Sequence, residues 1–155
     1  MIRGQGSLPL FKSNNMFTSE TKIRVRYAET DQMNVVYHGN YAQYFEVGRV
    51  ESIRQLGLSY KDVEASGVIM PVIEWTAKFI RPAHYDDLLT IRTSVKQWPV
   101  DYRVEFHQEV YNEAGKLLTV GKVLLYFLKA ATMEKTMMPE EMEKKLRPFF
   151  DAQEA

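Results

Sequence analysis

The chain has 155 residues, 45% of them hydrophobic and 26% charged, which is enough to bury the core of one ordinary domain. Twenty basic and twenty acidic residues give a formal net charge of zero, so nothing indicates general binding to nucleic acid or to an anionic membrane. No cysteine is present, which excludes disulfide bonds, thiolate metal sites and a cysteine nucleophile.

The first fifteen residues are polar and contain glycine, and their single apolar run, residues 8–11, is too short for a signal-peptide core or a membrane span. We therefore expect residues 1–18 to be a disordered extension, and Met16 is a candidate for the biological start. A single domain is expected at residues 19–150, followed by a tail at 151–155. We expect a cytoplasmic protein without membrane insertion, since a chain without disulfides fits a reducing compartment.

Residues 21–27 alternate between apolar and basic side chains and predict a half-buried strand. From Asn40 to Leu56, bulky residues recur at spacings of three and four, which predicts a long helix. Asn40 is a candidate N-cap, and Gly57 is a candidate for the end of the helix. Gly48 lowers helix propensity, so we expect it to permit a close approach to another backbone.

Alternation and β-branched residues predict four further strands, at residues 68–80, 88–95, 102–111 and 117–128. Pro71 indicates an edge or a bulge near the start of the first of them. Turn residues join the last three into an antiparallel meander. Residues 139–147 predict a short helix whose charges match the helix dipole. The fold class is therefore α+β, with one long helix against a curved antiparallel five-stranded sheet.

The segment from Arg26 to Arg49 holds the main functional pattern. It contains, in order, Tyr27, Glu29-Thr30-Asp31, Val35-Val36-Tyr37-His38, Asn40-Tyr41, Phe45-Glu46 and Arg49, and a second block contains Phe79-Ile80-Arg81-Pro82-Ala83 and Asp86-Asp87-Leu88-Leu89. Together with the order of elements, this set resembles the hotdog fold. Within that fold it is most similar to the 4-hydroxybenzoyl-CoA thioesterase family, in the branch of small acyl-CoA thioesterases associated with the bacterial Tol-Pal system.

The resemblance covers about residues 21–128 and has one visible departure. Asn34 stands where the family usually has glycine, in the loop after the acid. Asparagine is the non-glycine residue that best tolerates a left-handed backbone, so we expect the turn to be preserved.

The resemblance implies hydrolysis of an acyl-CoA thioester to the free acid and CoA, with Asp31 as the general base or the nucleophile. From the residues alone, a carboxylate at a strand end that faces a helix start suits either role, although a loop aspartate more often caps a turn. We expect the backbone N–H groups of His38 and Gly39 to stabilise the oxyanion, because unpaired donors and the helix dipole converge there.

Three further side chains near this corner have two interpretations each. His38 could orient or polarise water or the substrate carbonyl, but a lone histidine beside a helix is more often structural. Tyr27 matches a position proposed to assist catalysis in relatives, or it is a strand-end tyrosine packed on the core. Glu46 could face the active site, since another thioesterase branch uses a helical glutamate as its catalytic acid. Because Asp31 already fills the loop position, Glu46 is expected instead to pair with Arg49 or Arg26 and to order the site.

Lys78, Arg81 and Lys129 lie at or near strand ends where the resemblance places coenzyme A, although surface cations are usually only solvated charges. The three histidines are far apart and lack metal-ligand spacing, so no metal is expected. No cofactor is expected apart from coenzyme A as part of the substrate.

A single sheet leaves edge strands unpaired. Hotdog proteins pair such edges between subunits, so the resemblance implies a homodimer or a homotetramer with shared active sites.

Two other functions stay open. A hotdog hydratase or dehydratase tends to place Asn-Pro-x-His after its acid, whereas Asn34 here is followed by valine and His38 is spaced differently. A non-catalytic acyl-CoA-binding or interaction module would bind without hydrolysis. The acyl group stays open as well, because Tyr41, Tyr44 and Trp75 suit a pocket and a core equally.

Overall fold

A computed structural model describes residues 15–151 and confirms the α+β architecture. The strands are β1 (Phe17–Arg24), β2 (Val68–Ile69), β3 (Val72–Phe79), β4 (Leu88–Val95), β5 (Arg103–Tyr111), β6 (Leu117–Tyr126) and β7 (Leu128–Lys129). The helices are α1 (Asn40–Gln55), α2 (Tyr60–Ala65) and α3 (Glu140–Leu146), with 3-10 turns at Tyr27–Glu29 and Arg147–Phe149. Among the described residues, no helix is long and apolar enough to cross a membrane.

The main sheet is antiparallel and has five strands in the order β1-β4-β5-β6-β3. β4, β5 and β6 form the predicted meander. The single strand predicted at residues 68–80 is wrong, because the chain divides there into β2 and β3 at Pro71, which has no N–H to donate to a ladder. β2 pairs instead with β7, beyond the end of β6. As predicted, β3 lies at the sheet edge and carries a bulge just before Glu74.

β1 begins four residues before the predicted strand, so residues 17 and 18 belong to the sheet and not to an extension. Phe17 is fully buried, with its ring 4.9 Å from that of Phe149, and the Thr18 hydroxyl lies 3.0 Å from that of Ser94. These contacts, remote in sequence, explain the earlier start. Most of the predicted extension and of the tail, residues 1–14 and 152–155, lies outside the described residues.

α1 packs along the inner face of the sheet, and its predicted buried face is confirmed. The buried positions are Tyr41, Tyr44, Phe45, Gly48, Arg49, Ser52 and Ile53, and Leu56 follows the helix end. Gly57 has a φ of +92°, which ends the helix as predicted. The N-cap is Gly39, so the prediction of Asn40 is wrong by one residue. The amide of Asn40 donates instead to the Glu29 carbonyl.

Gly48 allows the middle of α1 to approach the sheet closely. A Cβ added there would lie 2.7 Å from Gln108 Nε2, 2.7 Å from Ile91 Cγ2 and 2.8 Å from Thr93 Oγ1. The close approach is therefore to side chains of β4 and β5, not to a backbone as predicted. The Gln108 amide uses this proximity to donate to the Phe45 carbonyl at 2.8 Å, which joins helix and sheet inside the core.

We expect Gly48→Ala to lower the free energy of unfolding by about 1–3 kcal/mol, because the added methyl group overpacks the helix–sheet contact. In an exposed helix the same change would raise stability by up to about 1 kcal/mol. The sign of the change in unfolding free energy therefore shows whether the added methyl group meets the sheet. Urea unfolding measures the difference, and Gln43→Ala at an exposed position of α1 is the control. An unchanged or increased stability would contradict this, because it would show that the side chains of β4 and β5 can move to accommodate the methyl group.

Candidate functional site

Asp31 lies in a tight hairpin between the first 3-10 turn and α1. Thr30 and Val36 form a bridge, and the Asp31 N–H donates to the Val35 carbonyl at 2.9 Å. The Asn34 N–H returns to the Asp31 carbonyl at 2.9 Å, and Asn34 has a φ of +64°. The predicted left-handed turn at Asn34 is confirmed. Its compact geometry fixes where the Asp31 side chain leaves the backbone.

The Asp31 carboxylate is half-buried and borders an open cavity of about 360 Å³. Its Oδ1 accepts the Met33 N–H at 2.8 Å, which is the turn cap expected of a loop aspartate. Among the described residues no partner reaches Oδ2. One oxygen is thus held in place and the other is available to a bound molecule. The cavity is lined by Asp31, Met33, Val35, Val36, His38, Tyr41, Phe79, Ile80, Arg81 and Pro82.

The start of α1 lies beside the Asp31 cavity. The N–H groups of Asn40 and Tyr41 donate back to Tyr37 and His38, whereas those of His38 and Gly39 have no acceptor within residues 15–151. Free N–H groups at a helix start carry partial positive charge and favour an anion. A Cβ at Gly39 would lie 2.8 Å from the Tyr37 ring, so glycine allows that ring to lie against the start of the helix.

The structure brings His38 to the Asp31 cavity but leaves Tyr27 apart. His38 is exposed, lines the cavity and stacks on Tyr37 with ring centroids 4.3 Å apart. Tyr27 was expected at a strand end; it lies instead in a 3-10 turn, 77% exposed, with its ring 5.6 Å from that of Tyr85. The packed, strand-end interpretation of Tyr27 is wrong because β1 already ends at Arg24.

Glu29 joins the Asp31 hairpin to α1, a role that its position in the sequence does not indicate. Its carboxylate accepts the Arg26 N–H at 2.8 Å and the Tyr44 hydroxyl at 2.9 Å. Its carbonyl accepts the Tyr37 N–H and the Asn40 amide, each at 2.9 Å. One residue thus fastens the hairpin to the first turns of α1. The sequence shows that Glu29 lies two residues before Asp31, but it does not show which groups donate hydrogen bonds to Glu29.

Burial raises the pKa of the Tyr44 hydroxyl above its ordinary value, and the hydrogen bond to Glu29 and the charge of that carboxylate raise this pKa further. Ionising Tyr44 would place a second negative charge against Glu29. Tyr44 therefore acts as a neutral donor and is a support of the site, not a wall of the cavity.

The predicted pairing of Glu46 with Arg49 or Arg26 is wrong. Glu46 is exposed and makes no ion pair among the described residues. Arg49 is only 6% exposed and turns towards the sheet, where it donates to Gln108 Oε1 at 3.2 Å. The carboxylate of Glu46 stays in water because burial beside the helix would cost more than a partly screened pair returns.

Of the three cations predicted to bind coenzyme A, only Arg81 lies at the cavity. It borders the cavity and donates to the Leu117 carbonyl at 3.0 Å. Lys78 borders a different cavity, on the outer face of the sheet beside Lys122. Lys129 lies in β7, 3.9 Å from the Glu134 carboxylate. Strand-end position in the sequence did not show which face of the sheet each side chain occupies.

The aromatic residues that suited either a pocket or the core lie in different places. Tyr41 lines the cavity, and its ring packs edge-on against that of Phe79, another lining residue, with centroids 5.1 Å apart. Trp75 lies further along β3 against Phe45, with centroids 6.0 Å apart. The walls are therefore apolar, and the polar groups Asp31, His38 and Arg81 stand at the rim.

Comparison with known proteins gives a consistent result. The profile of the thioesterase-like superfamily matches residues 25–146. The Bacillus subtilis protein YneP is 39% identical over 102 residues, 66% of this chain and 73% of that protein. The acyl-CoA thioester hydrolase YbgC of Escherichia coli O6:H1 is 30% identical over 120 residues, 77% of this chain and 89% of that protein.

Solved structures agree with these sequence matches. The DHNA-CoA thioesterase from Staphylococcus aureus superposes with a TM-score of 0.72 at 39% identity, covering 76% of this chain and 78% of that chain.

We expect stability to fall as the pH rises above about 10, the ordinary tyrosine pKa, because the folded state holds the Tyr44 proton more tightly than the unfolded state. Tyr44→Phe should reduce the slope with which the free energy of unfolding falls with pH, by the equivalent of up to one proton. It should also lower stability at pH 8 by about 1–2 kcal/mol, since Glu29 loses a donor. Urea unfolding from pH 8 to 11 tests both, with the exposed Tyr85→Phe as control. Equal slopes would contradict the assignment.

Proposed function

The chain belongs to the thioesterase-like superfamily, and we propose that it hydrolyses an acyl-CoA thioester to the free acid and CoA. The observation that carries the proposal is the meeting of the Asp31 carboxylate and the free N–H groups at the start of α1 around one apolar cavity. Thioester hydrolysis needs these two elements, a group that delivers or activates the attacking oxygen and donors for the oxyanion.

Asp31 starts the reaction. As a general base, it takes a proton from water while the water oxygen bonds to the thioester carbonyl carbon. As a nucleophile, it bonds to that carbon itself, and water then hydrolyses the resulting anhydride. In both routes the C–S bond breaks and the CoA sulfur leaves as a thiolate that is protonated to the thiol. The Met33 N–H holds Oδ1 in either case and leaves Oδ2 for the reaction.

The backbone N–H groups of His38 and Gly39 receive the negative charge that develops on the carbonyl oxygen. They have no acceptor among the described residues, and they need no reorganisation because α1 fixes them. The His38 side chain orients water or the carbonyl at the rim. Arg81 is placed to meet a phosphate of coenzyme A at the same rim.

The assembly that we propose is at least a homodimer formed through β3. Within residues 15–151 this strand has β6 on one side and no strand on the other, and it exposes Val72, Ile73, Trp75 and Phe79. An exposed apolar edge strand is a ready template for pairing. We keep the cytoplasm as the proposed location, because a chain without cysteine requires no oxidising compartment.

Asp31→Asn should lower kcat by about 100-fold to 10,000-fold, because an amide neither accepts a proton nor attacks the carbonyl. Thiol release from an acyl-CoA, followed with a thiol-reactive dye, measures the rate without background from a chain that has no cysteine. Asp101→Asn, which removes an exposed carboxylate beside Arg103, is the matched control. Activity within a few-fold of the unmodified protein would overturn the role of Asp31.

The apolar walls predict a preference among acyl groups. Benzoyl-CoA and hexanoyl-CoA should have a kcat/KM at least about tenfold above that of succinyl-CoA, whose second carboxylate would lose its hydration against Tyr41 and Phe79 near Asp31. The same thiol assay over the three substrates checks this. A faster reaction with succinyl-CoA would place the acyl group outside this cavity.

A further inference from the structure

The two edges of the sheet differ. β1 buries Phe17, Thr18 and Ser19, whereas every residue of β3 except Ala77 is exposed. Trp75 and Phe79 cover the helix side of β3 only in part, with exposed fractions of 36% and 48%. The edge that needs a partner is therefore the one that ends at the Asp31 cavity.

The hydrogen-bonding pattern of β3 fixes which of its backbone groups are free. The Ile80 N–H donates to Leu118 at 2.7 Å, and the Thr76 carbonyl points at Gly121 of β6. In an antiparallel ladder, alternate residues direct both backbone groups to the same neighbour. Thr76 and Lys78 therefore bond to β6, whereas Trp75 and Ala77 direct their N–H and carbonyl groups to the open edge.

The two charged side chains of this segment have opposite signs and lie at equal distances from Thr76. Glu74 and Lys78 stand two residues to either side of Thr76, and all three side chains share the outer face of the sheet because strand residues alternate. In an antiparallel pair centred on Thr76, each glutamate meets a lysine. Opposite charges placed directly across a strand pair stabilise it, and like charges destabilise it.

We propose that residues 74–78 pair antiparallel with the same residues of a second copy of the chain, with Thr76 on the two-fold axis. This inference rests on the proposed homodimer and specifies its register. Glu74 then lies opposite Lys78, Trp75 opposite Ala77, and Thr76 opposite itself. The free backbone groups of Trp75 and Ala77 bond to one another, so the backbone pattern and the side-chain charges give the same answer.

Neighbouring registers satisfy fewer of these groups. An axis at Ala77 places Lys78 opposite threonine and brings the bulky Trp75 and Phe79 together. An axis at Trp75 sets two indoles face to face and leaves Glu74 opposite Thr76. Only the axis at Thr76 puts each large inner-face residue opposite a smaller one and each charge opposite its complement.

The register also adds a wall to the Asp31 cavity. The pairing reaches the bulge just before Glu74, where it brings Ile73 of the second copy beside Phe79, which lines that cavity. Ile73 is 47% exposed, so part of its apolar surface is not covered by the described residues of its own chain. We therefore assign Ile73 of the second copy as a residue that contacts the acyl group and influences which acyl groups fit.

Cysteine cross-linking tests the register in a chain that has no other thiol. Thr76→Cys should form a covalent dimer under mild oxidation, since residues opposite one another lie about 4.5–5.5 Å apart at Cα. Glu74→Cys or Lys78→Cys alone should not cross-link, because the two copies of either residue lie about 13 Å apart along the strands. A mixture of these two variants should cross-link, as should a mixture of Ile73→Cys and Phe79→Cys.

Non-reducing gels and mass spectrometry read the result without any measurement of activity, so the register can fail while the hydrolase function stands. Faster cross-linking of Ala77→Cys or Trp75→Cys than of Thr76→Cys would overturn the proposal. So would the absence of cross-linking at all of these positions.

Charge reversal gives a second test that needs no cysteine. Glu74→Lys and Lys78→Glu each place like charges opposite one another in their homodimers, but a mixed dimer restores both attractive pairs. Native mass spectrometry of the mixed proteins should show heterodimer enriched at least about tenfold over random assortment. The double variant E74K/K78E should return to a homodimer. Random assortment would overturn the Thr76 axis, and both positions are exposed enough to accept either charge.

Discussion

The close contact between the middle of α1 and the sheet is the constraint on which the molecule depends. Gly48 removes the side chain that would hold the helix away, and Gln108 then reaches the Phe45 carbonyl through the gap. Because the helix is rigid, this contact also fixes its first turn, about ten residues away. The free N–H groups of His38 and Gly39 owe their position to a packing contact remote from any chemistry.

The site that we propose for this thioester hydrolase lies between a hairpin and a helix start. Neither element is held by the hydrophobic core alone. Glu29 accepts four hydrogen bonds, two through its carboxylate and two through its carbonyl, and those from the Asn40 amide and the Tyr44 hydroxyl join this corner to α1. Such a support gives Asp31 a defined distance from the helix N–H groups, which is what preorganised electrostatic stabilisation requires.

Local patterns in the sequence were sufficient for α1, for the β4–β6 meander and for the left-handed turn at Asn34, because each depends on residues close along the chain. Contacts between distant residues were not visible. The carboxylate of Glu29 meets a hydroxyl fifteen residues later, and Arg49 turns to a glutamine on β5 although an acid stands three residues before it. Periodicity places a side chain on a face, but only packing decides which partner it meets.

The inequality of the two sheet edges has a consequence for the size of the assembly. A two-fold contact uses one edge of each subunit and leaves β1 at both ends of the joined sheet. β1 ends in the exposed cations Lys22 and Arg24, which repel a further copy in the same orientation. In the homodimer that we propose, growth of the sheet would therefore stop after one pairing step, and the apolar edge strand that could seed fibrils would be covered by the contact between the two copies.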